Sequence, residues 1–157
     1  GDAHEYLLNH FAEFDFIWSS PPCPTHSKLR TSRPNQIVYP DMTLYQEIIL
    51  LRSWFKGKWI VENVEPYYAT AITPTVILHR HFFWSNVQIL QRDFERLQTC
   101  TKRNEREFLA EYFGFDLSQH TGIDKRKVLR NCVPPELGLH LFNCAFSQRE
   151  TQSLLFT

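Results

Sequence analysis

Hydrophobic positions along the chain change between helical and strand-like spacing. Apolar residues recur at helical intervals in residues 4–12 and again in 42–55, which predicts two helices. Short apolar runs at 14–20 and 58–64 each end in polar residues, which predicts two buried strands. The order helix, strand, loop, helix, strand is typical of an α/β fold with a mostly parallel sheet flanked by helices.

Residues that favour caps and turns set the limits of these elements. Asp41 is suited to cap the amino end of the second helix, and Gly57 is suited to end it. Residues 21–40 are polar, contain five prolines and predict a long loop of the kind that often has a function. Residues 65–75 predict a second loop, and 79–90 predict a strand pair or a strand followed by a turn.

The last part of the chain is more charged and less regular. Residues 91–127 mix acidic and basic residues, with one helix predicted at 104–114. Residues 133–147 predict a further helix, whose first turn contains prolines.

Composition and charge limit the class of protein. The chain has 157 residues, 43% hydrophobic and 15% aromatic, which is enough to form the core of one domain. Lysine and arginine total 17, as do aspartate and glutamate, so the net charge identifies no partner. Basic residues are nevertheless concentrated after residue 23, which fits a phosphate-bearing partner and fits a solvated surface loop equally well.

Cysteine and histidine usage predicts no metal site. The four cysteines are Cys23, Cys100, Cys132 and Cys144. They form no Cys-x-x-Cys pair, so we expect free thiols in a reducing, cytoplasmic setting. No apolar run is long enough to cross a membrane. His26, His79 and His81 fall in loops or at strand ends, where histidine is usually a hydrogen-bonded surface residue.

A thiol and a carboxylate follow the two predicted parallel strands. Cys23 lies between prolines directly after the first strand, and prolines hold such a segment stiff and non-helical. Glu62 and Asn63 end the second strand. Because the carboxyl ends of parallel strands meet at one edge of a sheet, these side chains are expected to face the same crevice. Together they could provide nucleophilic attack and proton delivery, whereas alone each could be a buried thiol or a solvated strand end.

Five motifs, in order along the chain, resemble those of the DNA cytosine-5 methyltransferases of the compact phage and bacterial type. Pro-Pro-Cys at 21–23 resembles the family's nucleophile motif, and Glu-Asn-Val at 62–64 resembles its Glu-Asn-Val motif. Arg-Asn-Cys-Val-Pro-Pro at 130–135 resembles the late Gly-Asn-Ala-Val-Pro-Pro motif. Arg80 resembles the second arginine of Gln-x-Arg-x-Arg, and Gly-Asp-Ala at 1–3 resembles Gly-Asp-Ile.

The resemblance implies a partial Rossmann-like S-adenosylmethionine-dependent methyltransferase fold acting on double-stranded DNA. Cys23 would attack carbon 6 of a flipped cytosine, Glu62 would hold the ring nitrogen and amine, and Arg80 would contact the base or hold the loop. The residues implied in cofactor binding are Asp2, Pro22 and Asn131. Those implied in binding the DNA or the flipped base are Pro21, Ser27, Lys28, Arg30, Asn63 and Val64.

The chain also departs from the family pattern. The family's Phe-x-Gly-x-Gly loop is not found, and five glycines cannot provide it. We therefore expect a fragment, split subunit or processed product whose S-adenosylmethionine pocket is completed by a separate N-terminal half. Residues 1–90 are expected to form the second part of the catalytic core, 91–127 a short recognition-like segment, and 128–157 a helix that returns to the core.

Two other classes of protein remain open. A catalytically incomplete DNA-binding or regulatory subunit that keeps the fold would explain why the glycine-rich loop is missing. A thiol-dependent enzyme acting on a free nucleotide would use the same thiol, although the basic residues beside Cys23 favour a polymer.

Overall fold

Helices cover both faces of a four-stranded sheet in the described part of the chain. The computed structural model describes residues 1–28, 38–94 and 105–146. In chain order the elements are α1 (Ala3–His10), a 3₁₀ helix (Phe11–Glu13), β1 (Phe16–Ser19), α2 (Thr43–Trp54), β2 (Lys58–Val64), β3 (Val76–Leu78), β4 (His81–Ser85), α3 (Glu105–Phe113), α4 (Lys125–Arg130) and α5 (Pro135–Phe146). The predicted helices and strands correspond to α1, α2, α3, α5, β1, β2 and β4 apart from their limits, whereas the sequence pattern predicts neither β3 nor α4.

The sheet is mixed, so the prediction of a mostly parallel sheet is wrong. Its strand order is β1-β2-β4-β3, and only β1 and β2 pair in parallel, with Ile17 opposite Trp59. Strand β4 is antiparallel to both β2 and β3. The physical reason is the short turn between β3 and β4, because a two-residue connection joins antiparallel strands and cannot form the crossover that parallel strands need.

Two hydrophobic cores lie on opposite faces of the sheet. On one face, α1 and α2 pack Leu7, Ile48 and Leu51 against the sheet. On the other face, α5 packs Leu137 and Leu141 against strand residues that include Phe83. Because β2 is covered on both faces, its sequence is a nearly continuous apolar run.

The limits of α2 differ from the predicted caps. The N-cap position is Met42, although Asp41 Oδ1 still accepts hydrogen bonds from the Thr43 amide and hydroxyl at 3.0 and 2.8 Å. Gly57 does not end the helix, which finishes at Trp54. A Cβ at Gly57 would instead fall 2.4 Å from the Asp15 carbonyl oxygen, so glycine is needed for the close approach of two backbones.

A smaller cluster joins α3 and α4. Leu109, Phe113 and Leu129 form its apolar part. The Glu105 carboxylate is buried and accepts hydrogen bonds from Arg126 and Arg130 at 2.6–2.8 Å. The hydrogen bond from the Arg130 side chain is the first reason that the pKa of Glu105 lies below its usual value. None of the helices in the described ranges is both long and apolar enough to cross a membrane.

Candidate active site

Cys23 lies in a tight turn just beyond the carboxyl end of β1. The Cys23 carbonyl accepts hydrogen bonds from the amides of His26 and Ser27 at 2.9 and 3.1 Å. Its side chain is half-buried, and Pro21, two residues earlier, is buried. The turn is therefore held by the backbone, which leaves the thiol available for chemistry.

Asn63 joins this turn to the end of β2. Its side chain is almost fully buried, and Nδ2 donates to the Pro21 carbonyl at 3.0 Å. Its Oδ1 accepts from the Val64 amide, also at 3.0 Å. The two strand ends thus meet at one edge of the sheet, as the parallel pairing of β1 and β2 predicts.

Further contacts hold the segment after Cys23 against the segment after β2. Ser27 forms an isolated antiparallel bridge with Pro66, and the Lys28 ammonium donates to the Glu65 carboxylate. Val64 is half-buried at the end of β2, and Pro22 is exposed. A further predicted residue of this loop, Arg30, lies outside the described residues, as does Cys100.

His26 is a buried anchor of this loop, so the prediction that it lies at the surface is wrong. Only 1% of the residue is exposed, and its Nδ1 lies 2.5 Å from the Tyr68 hydroxyl. Burial lowers the pKa of His26, so the ring is neutral at neutral pH and its Nδ1 can accept a hydrogen bond from the Tyr68 hydroxyl. The turn after Cys23 and the hydrogen bonds to Tyr67 and Tyr68 hold His26 against the loop after β2, which removes the ring from solvent.

Glu62 is buried at the end of β2 and is paired with a histidine. Glu62 is 6% exposed and His81 is 4% exposed, and Oε1 of the first lies 2.6 Å from Nδ1 of the second. The prediction that His81 lies at the surface is therefore wrong. Its alternation with Phe83 along β4 is the sequence signal that could have indicated an inward side chain.

Arg80 lies in the turn between β3 and β4 and is exposed. His79, beside it, has a φ of 57°, the left-handed conformation that a tight turn requires. The positive charge of Arg80 lowers the pKa of Cys23, so the guanidinium lies within electrostatic reach of the thiol. Arg80 therefore acts on the predicted site through its charge. The residue in hydrogen-bond contact with Glu62 is His81.

Opposing effects set the ionisation of Cys23. Burial raises the pKa of the thiol above its usual value, and the negative charge of Glu62 raises it further. A backbone hydrogen bond and the charges of Lys127 and Arg80 act in the opposite direction. At neutral pH the group is therefore mainly a thiol, and neutralising Glu62 would favour the thiolate.

The end of α4 brings a third segment to Cys23. Asn131 follows α4, and its Oδ1 lies 4.0 Å from Cys23 Sγ, within reach of a weak S–H···O hydrogen bond. Lys127 lies one turn earlier, on the same side of the helix as Asn131. Sequence reasoning missed Lys127 because its run of charged residues resembles any solvated helix, although the four-residue spacing from Asn131 could have indicated it.

Asp2 has a local structural role at the amino end of α1. Its Oδ1 accepts hydrogen bonds from the amides of His4 and Glu5 at 2.8 and 3.3 Å. No described contact joins Asp2 to Cys23 or Glu62. Within the described ranges, no group of three or more histidine, cysteine, aspartate or glutamate side chains is arranged to hold a metal ion.

Replacing Asn63 with alanine is expected to lower the free energy of unfolding. The change leaves the buried Pro21 carbonyl and Val64 amide without a partner, which costs about 1–3 kcal/mol for an unsatisfied group. Urea denaturation of the native chain and the variant measures the difference. Asn143→Ala, at an exposed position of α5, is the matched control and should change stability little. Equal stability of Asn63→Ala and the native chain would contradict this role.

Comparison with known proteins assigns no family to the chain. No protein-family model, curated protein or solved structure matches it. The function must therefore be inferred from the residues of the site.

Proposed function

We propose that this chain is the C-terminal part of the catalytic domain of a DNA cytosine-5 methyltransferase. Its reaction is methyl transfer from S-adenosylmethionine to carbon 5 of a cytosine flipped out of double-stranded DNA. One observation supports this most strongly: Cys23, Glu62 and Asn131, from three motifs far apart in sequence, converge at one edge of the sheet. Such a protein would act in the cytoplasm of a bacterial or phage-infected cell.

Cys23 is the nucleophile in this proposal. It passes its thiol proton through water to the Glu62 carboxylate, and Sγ forms a bond to carbon 6 while the electrons of the carbon 5–carbon 6 double bond move onto the ring. Glu62 donates a proton to ring nitrogen 3 and accepts a hydrogen bond from the exocyclic amine, which stabilises the developing charge. After carbon 5 gains the methyl group and loses its proton, the Sγ–carbon 6 bond breaks and the double bond between carbons 5 and 6 forms again.

S-adenosylmethionine would supply the methyl group through its sulfonium centre, and Asp2, Pro22 and Asn131 are the residues of this chain that would hold it. Asp2 Oδ1 already accepts two amides, so Oδ2 is the oxygen that could accept the adenine amine. Asn131 and the exposed Pro22 adjoin Cys23 and would lie on the donor's side. A separate N-terminal half would supply the glycine-rich side. Strand β1 supports such a partner, because within the described residues it is an edge strand of the sheet.

Positive charge around Cys23 supports DNA as the substrate. Arg80 and Lys127 come from separate segments and both act on the thiol electrostatically. Lys28 adds a further positive charge in the loop that follows Cys23, where it pairs with Glu65. Cations around a pocket can bind the phosphates that flank a flipped nucleotide.

A catalytically incomplete DNA-binding or regulatory subunit is the second candidate. The raised pKa of Cys23 favours it, because a mainly protonated thiol is a weak nucleophile at neutral pH. In this candidate the chain binds DNA with the same cations but forms no bond to the base.

Proton exchange at carbon 5 tests the proposal without any methyl donor. Addition of Cys23 to carbon 6 makes carbon 5 basic, so it takes up a solvent proton, and reversal of the addition can then release the original hydrogen. The chain is incubated with duplex DNA whose cytosines carry tritium at carbon 5, and tritium in the water is counted. We expect release from duplex DNA and none from free deoxycytidine monophosphate.

The alternatives give different results in the same experiment. DNA binding without tritium release would overturn the enzymatic proposal and favour the regulatory subunit. Release from the free nucleotide alone would identify a nucleotide-modifying enzyme instead.

A further inference from the structure

The contact between Glu62 and His81 crosses two neighbouring strands. Glu62 on β2 lies opposite Phe83 on β4, and His81 lies opposite Val64. Since Phe83 and His81 are two residues apart on one strand, Glu62 and His81 are diagonal neighbours on the same face of the sheet. The sheet register therefore brings the carboxyl group and the imidazole together, independently of the loops around the site.

Packing alone does not explain this pair. The side chain of Glu62, taken without its backbone, is 8% exposed, and that of His81 is 5% exposed. Strand β4 also supplies Phe83 and Trp84 to the adjoining cores. Within the described residues, the second ring nitrogen of His81, Nε2, is buried without a hydrogen-bond partner. A buried polar atom of this kind is unfavourable for folding, and an apolar residue at position 81 would avoid the cost. Its presence beside Glu62 indicates a use in the site.

We propose that His81 is the positioning residue of Glu62, an inference that rests on the proposed function. The Nδ1–H group donates to Oε1 and fixes the plane of the carboxyl group. The other oxygen, Oε2, then gives its proton to ring nitrogen 3 of cytosine. The electron pair stays on the carboxylate, and the hydrogen bond from Nδ1 strengthens as that charge forms.

The surroundings of the pair are compatible with this role. Arg80 and Lys127 act on Cys23 at this edge of the sheet through their positive charge. The His79 ring stacks near that of His81, with centroids 6.2 Å apart. Arg80 acts on Cys23 through its charge, whereas His81 is the group in hydrogen-bond contact with Glu62.

Three substitutions separate a hydrogen-bond donor from a structural filler. His81→Leu removes the donor and keeps an apolar side chain of similar size. His81→Asn keeps an N–H donor near the place of Nδ1 but cannot titrate. His79→Asn is the matched control, because asparagine tolerates the left-handed backbone at that position.

The rate of tritium release from duplex DNA is measured for each variant as a function of DNA concentration. In His81→Leu we expect kcat to fall about a hundredfold, the effect of a misplaced catalytic group, with KM for DNA nearly unchanged. In His81→Asn most of kcat should return, because its amide can donate to Oε1 in place of Nδ1–H. His79→Asn should match the native chain in both kcat and KM.

The outcomes distinguish this inference from the proposed function. If the native chain releases no tritium, the proposed function fails and the role of His81 fails with it. If the native chain releases tritium and His81→Leu does so equally fast, only the role of His81 is overturned. An equal loss in His81→Asn and His81→Leu would also overturn it. Should His81→Leu fail to fold, as judged by circular dichroism, the kcat and KM of His81→Asn decide the question: a kcat near the native value supports the role of His81, and a hundredfold loss overturns it.

Discussion

Replacing Cys23 with serine is expected to abolish tritium release from cytosine in duplex DNA. A hydroxyl group is far less acidic than a thiol and cannot form the nucleophile at neutral pH. The turn itself should survive, because its hydrogen bonds use the Cys23 carbonyl and not the sulfur. The same variant should form no covalent product with DNA containing 5-fluorocytosine when S-adenosylmethionine and any completing half are supplied.

Cys132 provides the matched control for this substitution. Its thiol is also half-buried, burial raises its pKa as it does for Cys23, and it directly follows Asn131. The Cys132 sulfur lies 3.4 Å from the carbonyl oxygen of Val128 in α4. Cys132 has no role in the proposed reaction. Cys132→Ser should release tritium at the native rate. Release by Cys23→Ser, or an equal loss in Cys132→Ser, would contradict the assignment of Cys23 as the nucleophile.

Replacing Glu62 with glutamine is expected to change two measurements in opposite directions. Tritium release should fall by about 10²–10⁴-fold, the range typical of a lost general acid. Alkylation of Cys23 by iodoacetamide should become faster at neutral pH. The negative charge of Glu62 is one of the two causes that raise the pKa of Cys23, so its removal lowers that pKa and increases the thiolate fraction.

Two further substitutions test whether nearby charges control the alkylation rate of Cys23. Lys127→Ala removes a charge that lowers the pKa of Cys23, so alkylation should slow. Glu65→Gln changes an exposed carboxylate paired with Lys28 and should leave the rate unchanged. Mass spectrometry of the peptide containing Cys23 separates this thiol from the others. Slower alkylation in Glu62→Gln would show that a change in folding, and not the loss of charge, explains its loss of activity.

Local patterns were sufficient to predict much of the architecture. Helical spacing located α1, α2 and α5, and apolar runs located β1 and β2, because these signals depend on residues close in sequence. The sequence pattern did not predict the short helix α4, because four of its six residues are charged and show little hydrophobic periodicity. Gly57 was assigned to a helix end, but its role depends on Asp15, which is distant in sequence.

The sequence by itself determined which chemical groups reach the edge of the sheet. Cys23 and Glu62 follow two parallel strands, and parallel strands deliver their carboxyl ends to one edge. Only the tertiary structure decided which groups touch. The pairing of β4 with β2 places His81 on Glu62, and the docking of α4 places Asn131 beside Cys23. Such contacts depend on strand order and helix packing across distant parts of the chain, which local hydrophobic periodicity does not encode.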